Sequence, residues 1–95
     1  MAVLIAAGTA AANSADLVVA AGKSVILSLF DADGNNIVLG ASVLIQKKAG
    51  NGTYTVIDSL DSTNPAKVFT NLTGSSITLR AARLAGPNYG VEVDA

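Results

Sequence analysis

Between residues 16 and 94 the chain is a succession of short alternating runs, each closed by a cluster of Gly, Asn, Asp, Ser or Pro. Alternation at every second residue suits a strand that buries one face and exposes the other. The runs fall at residues 16–20, 24–30, 42–48, 53–60, 67–72, 76–83 and 89–94, and no helical periodicity separates them. About seven strands with turns roughly every 8–12 residues predict an all-β fold, a single small sandwich or barrel. The cysteines and tryptophan of an immunoglobulin domain are absent, so Ig-like describes the expected architecture only.

The faces follow from the alternation. Val25, Leu27 and Leu29 share one side, with Ser24, Ile26, Ser28 and Phe30 on the other. The second side is half apolar, as expected of a central strand. Val43 and Ile45 oppose Leu44; Ile77, Leu79 and Ala81 oppose Thr78, Arg80 and Ala82. Tyr89, Val91 and Val93 are expected inward. Tyr54, Val56 and Asp58 are expected on one face of their strand. Asn51-Gly52 marks a tight hairpin, because both residues tolerate positive φ.

Residues 1–15 read differently. Val3, Leu4 and Ile5 form a short apolar run, followed by small and polar residues and a triplet of alanines. The segment lacks the basic start of a secretory leader. It is expected to be an extended N-terminal arm that lies on a neighbour, with residues 16–95 as the sandwich domain. Val3, Leu4 and Ile5 are the expected partner contacts.

What supports so small a domain is a separate question. Its 95 residues include no cysteine and no histidine, which removes disulfides and the commonest transition-metal ligands. Oligomerisation or docking on a larger body remains. The hydrophobic share is 51%, with a mean hydropathy of +0.50, a surplus for a small interior. It fits an alanine-rich surface or an interface. The six basic residues are scattered without interleaved aromatics, against a net charge of −1. A nucleic-acid partner is therefore not expected. No apolar run is long enough to span a membrane.

Several small constellations invite a chemical reading. The turn at Asp31, Asp33 and Asn35 resembles the start of a calcium loop, but its glycine comes too early and no glutamate closes it. Side chains that bond their own turn are the expected use. Asp58 and Asp61 lack an aromatic platform and read as a solvated rim. Lys23-Ser24 is a formal dyad, in a turn where water keeps the lysine charged. With no histidine base, the chain is not expected to be an enzyme and no cofactor is expected. Asn51-Gly52-Thr53 and Asn71-Leu72-Thr73 match the glycosylation sequon. Lys47, Lys48, Arg80 and Arg83 would form either a basic docking spot or charge that guards strand edges.

Three segments together resemble small virion proteins of tailed bacteriophages. They are the run from Ala21 through Leu29 to Gly34, the run from Thr53 through Leu60 to Val68, and the ending Tyr89-Gly90-Val91-Glu92-Val93-Asp94. The chain is similar in style to head decoration (cement) proteins, without an invariant motif. The resemblance implies a β-sandwich or β-tulip core and a homo-oligomer, often a trimer. It further implies an arm that grips the major capsid protein, and a place on the capsid exterior. An Ig-like module on a head fibre or tail, recognising a host surface or glycan, is the alternative. It would use Tyr54, Asn64 or Tyr89.

Overall fold

Two antiparallel sheets carry the chain through residues 2–94, the span that this computed structural model describes. The strands among these residues are β1 (Ala2–Gly8), β2 (Ala12–Asn13), β3 (Leu17–Val19), β4 (Ser24–Phe30) and β5 (Ser42–Lys48). They continue with β6 (Tyr54–Asp61), β7 (Ala66–Thr70), β8 (Ile77–Arg83) and β9 (Tyr89–Asp94). One sheet runs β1-β9-β4-β7. In the other, β8 is flanked by β5 and then β6 on one side, and by β2 and β3 in succession on the other. The expected sandwich is present, and the seven expected runs become β3 to β9.

The core is the set of inward positions that the alternation assigns. Leu27, Leu29 and Val91 from the first sheet meet Val43, Ile45, Leu60 and Ala81 from the second. Val19, Val25 and Leu79 form a smaller cluster beside them. Burying each Val or Leu contributes about 1.5–3 kcal/mol, which is why the period-two pattern dictates register. In β6 the pattern breaks. Gln46 faces Val56 and Ile45 faces Asp58, so Ile57 is an extra, bulged residue. The bulge turns Asp58 to the inner side, against the expectation that it shares a face with Val56.

Residues 1–15 do not form a free arm where they are described. β1 pairs with β9 in the chain's own sheet, and β2 pairs with β8 in the other. Ile5 is only 6% exposed and belongs to the main core, with Leu4 packed against it. Of the three expected partner contacts only Val3 faces solvent, at 63%. The physical reason is that β9 is apolar and would otherwise lie at the sheet's edge, so the run of Leu4 and Ile5 is satisfied at home. Ala95, at the end of the expected sandwich span, lies outside the described residues.

Two devices hold β1 in place. Gly90 on β9 sits where an added Cβ would strike the backbone of Ile5 and Ala7 and the ring of Phe30, so glycine permits the close approach. Arg83, at the end of β8, lies on the inner side opposite Val43. Its guanidinium donates to the carbonyls of Ala6 (2.6 Å), Ala10 (2.9 Å) and Tyr89 (2.8 Å). The Tyr89 side chain is fully buried; its hydroxyl accepts from the Ser42 amide at 3.0 Å and is shared between the carbonyls of Ser42 and Leu84. At the opposite end Asn71 is buried, donating to the carbonyls of Val19 and Ser75 and accepting from Thr73.

The open side of the sandwich lies between the edge strands β6 and β7. Asp58 from β6 and Lys67 from β7 point inward there and form an ion pair across the two sheets. Inward charge on an edge strand discourages further pairing. Hydrogen bonding from Lys67, then from the Ser59 amide, holds the Asp58 carboxyl below the usual carboxylate range.

Arg83→Met keeps the volume but leaves three carbonyls without their donor. It is expected to cost roughly 3 kcal/mol in denaturant unfolding, while Arg80→Met on the outer face stays within about 1 kcal/mol. Because the folded-state pKa of Asp58 is depressed, its contribution is full at neutral pH. It drains as pH falls through about 4 and below. Asp58→Asn should therefore flatten the acid limb of the stability curve measured by thermal unfolding against pH.

Candidate functional site

The outer face of the β8-containing sheet carries the chain's most organised surface cluster. Register places Arg80 beside Gln46, and Gln46 beside Val56. Lys48 lies opposite Tyr54 on the same face. The Arg80 guanidinium stacks 3.6 Å from the centroid of the Tyr54 ring. Its Nε and Nη2 both donate to Gln46 Oε1, at 2.8 and 2.6 Å. The Tyr54 hydroxyl donates to Asp16 Oδ1 at 2.6 Å, and Lys48 Nζ reaches Asp16 Oδ2 at 3.3 Å. Each side chain in this group is held by at least one other.

The electrostatics agree with the geometry. The Tyr54 hydroxyl, followed by Lys48, holds the Asp16 carboxyl below the usual range. The same hydrogen bond, made to a carboxylate, holds the Tyr54 phenol above its usual value. Arg80 stands in no ion pair among the described residues. The cluster thus presents one pre-oriented cation whose charge is not cancelled by direct contact. Val18 and Val56, both exposed, flank it on the same face.

A second feature lies at one end of the sandwich, on the connection from β4 to β5. Val38 and Ala41 are buried in the core and anchor that connection. Their neighbours are thereby turned outward: Ile37 is 65% exposed and Leu39 81%. Leu84, whose amide bonds the Ser42 carbonyl, is exposed at the same end. No pocket opens among the described residues.

The remaining expected constellations resolve one by one. Asp31 accepts from the amides of Asp33 and Asn35 and from the Asn35 side chain, so its carboxylate serves its own turn. Among the described residues no three potential metal ligands of the His, Cys, Asp and Glu types gather. Asp58 faces inward to Lys67, while Asp61 accepts from Thr63 and Asn64 in its loop, so the two do not converge. Ser24 bonds Thr70 across the β4–β7 pair. Asn51 closes the hairpin with Thr53. The Asn71 amide nitrogen is committed to two carbonyls and is buried, which leaves no room for a glycan there.

The basic spot does not exist as expected. Lys48 and Arg80 share the outer face, but Arg83 points into the sandwich. The three expected recognition residues also separate. Tyr89 is core, Tyr54 lies under Arg80, and Asn64 sits in the loop after β6, at the end away from the β5–β6 hairpin. Sequence reasoning missed the stack of Arg80 on Tyr54. Only the β5–β6–β8 register brings them together, and no local signal carries it. The exposure of Ile37 and Leu39 was detectable in principle, as apolar residues in an Asp/Gly/Asn-rich connection. No family model, curated protein or solved structure matches the chain.

Removing the acceptor should release the phenol. In Asp16→Asn, the Tyr54 ring signals followed by NMR through alkaline titration are expected to move at lower pH than in the parent protein. An unchanged midpoint would show that the hydrogen bond does not govern this tyrosine.

Proposed function

We propose that this chain is a structural virion protein, a decoration (cement) protein of a tailed bacteriophage. It binds the exterior of the assembled capsid as a homo-oligomer, with a trimer the expected form, and has no catalytic role. The observation that carries the reading is the rigidly anchored apolar end formed by Ile37, Leu39 and Leu84. Exposed apolar side chains on a fixed loop are costly in water and gain on docking. The resemblance of three segments to small phage head proteins supplies the partner, the major capsid protein. A ligand that binds only the assembled shell stabilises it by mass action. Several copies linked in one oligomer multiply the effect through effective concentration.

The contact is therefore assigned to the loop end, in place of an arm of Val3, Leu4 and Ile5, since Leu4 and Ile5 serve the core. The rival reading, an Ig-like module for host surfaces or glycans, has less support. The face of Tyr54 is covered by Arg80, and Tyr89 is fully buried.

The test uses purified expanded shells of the encoding phage that lack bound decoration protein. The parent protein is expected to bind and to raise the temperature of shell disruption. Ile37→Ser with Leu39→Ser, on an intact fold, should lower occupancy at least tenfold. Absence of binding by the parent protein overturns the capsid reading. Full occupancy by the double variant overturns the loop contact.

A further inference from the structure

The two outer faces of the sandwich are chemically complementary. On the β1-β9-β4-β7 face, cross-strand register sets Val68 beside Ile26 and Ile26 beside Asp94. The adjoining row runs Ala66, Ser28, Glu92 and Val3. Val3, Ile26 and Val68 are all exposed there. Neither Glu92 nor Asp94 has an ion-pair partner among the described residues. The basic residue of β7, Lys67, points inward and is spent on Asp58. Among the described residues this face is apolar with unpaired carboxylates.

The opposite face is apolar with a free guanidinium. Arg80 is locked by Tyr54 and Gln46, with Val18 and Val56 around it. Lys48 and Asp16 neutralise each other beside it, and Asp61, at the far corner, is engaged by its own turn. A side chain already held in one rotamer loses little further freedom on binding. Arginine and tyrosine in such settings are the residues that concentrate interface energy.

We propose that these faces bind one another between copies, so that Glu92 and Asp94 of one molecule meet Arg80 of the next. The contact is heterologous: a patch on one copy meets a different patch on its neighbour, and because the two faces look in opposite directions it propagates as an open stack. The molecule measures 38 × 23 × 21 Å, so each sheet face is broad enough for the roughly 800 Å² per partner of a stable interface. The inference rests on the proposed function and deepens it by naming the contact between copies, with an open stack in place of the expected trimer. Its test contains no capsid, so the two readings fail separately.

The experiment is sedimentation or native mass spectrometry of the purified chain over a wide concentration range at low salt. The parent protein is expected to exceed its 9.5 kDa monomer mass as concentration rises, and less so in high salt. Arg80→Glu should remain monomeric, and so should Glu92→Lys with Asp94→Lys. Each variant keeps one intact face, so an equimolar mixture of the two should associate again. Val68→Asp tests the apolar part of the same contact and carries the acidic-face arm independently of Arg80. A parent protein that stays monomeric at millimolar concentration overturns the proposal. So does unchanged association of either reversal variant, as edge-to-edge pairing through β1 would give. A mixture that remains monomeric also overturns it, because the faces would then not be partners.

Discussion

A single buried cation organises this fold. The Arg83 guanidinium reaches three carbonyls, those of Ala6 and Ala10 near the start of the described residues and that of Tyr89 near their end. It ties the first strand and the connection after it to the ends of β8 and β9. No carboxylate joins it among the described residues. The charge is satisfied by backbone dipoles alone, an arrangement that works because guanidinium offers five donors in a planar fork. Removing it would leave backbone oxygens without partners, which is costlier than the loss of a surface ion pair. The close passage of β1 over Gly90 and the packing of Arg83 over Gly8 both follow from this junction.

Most of the sandwich was legible because one force dominates it. Where a strand buries one face fully, as in β4, β5, β8 and β9, alternation alone identifies Leu27, Ile45, Leu79 and Val91 as interior. Legibility failed where local pattern and tertiary context diverge. Residues 1–15 look self-insufficient in isolation, and they are: β1 becomes a strand only because β9 lies beside it. The bulge at Ile57 is similarly silent in sequence, since it inverts Asp58 through pairing with β5. Arg83 carries the same lesson. A charged residue at the end of an alternating run reads as surface, and only the converging carbonyls reveal it as interior.

The surface was harder to read than the core. Asp31, Asn51, Asp61 and Asn71 all look chemically capable, yet each spends its oxygens on a neighbouring turn. Short polar side chains compete for nearby backbone, and in a fold with so many turns that local use absorbs them. What remains for contact with other molecules is apolar side chains that the core could not take, one pre-oriented arginine and the carboxylates of Glu92 and Asp94. The molecule's capacity to act thus lies in what its geometry leaves over. Excess apolar residues are pushed outward by the alternation that saturates the interior.

The pairing of β1 with β9 also sets a timetable. These strands lie at opposite ends of the described chain, so β1 has no place to go until nearly all of it has been synthesised. Such a long loop closes late, after the local hairpin of β5 and β6 is able to form. During that interval Leu4 and Ile5 are unpaired and sticky, and the far edge of β9 is unguarded. Once β1 docks, β9 is clamped between it and β4. The two strands farthest apart among the described residues are then fastened to each other, and neither peels away without breaking that pairing.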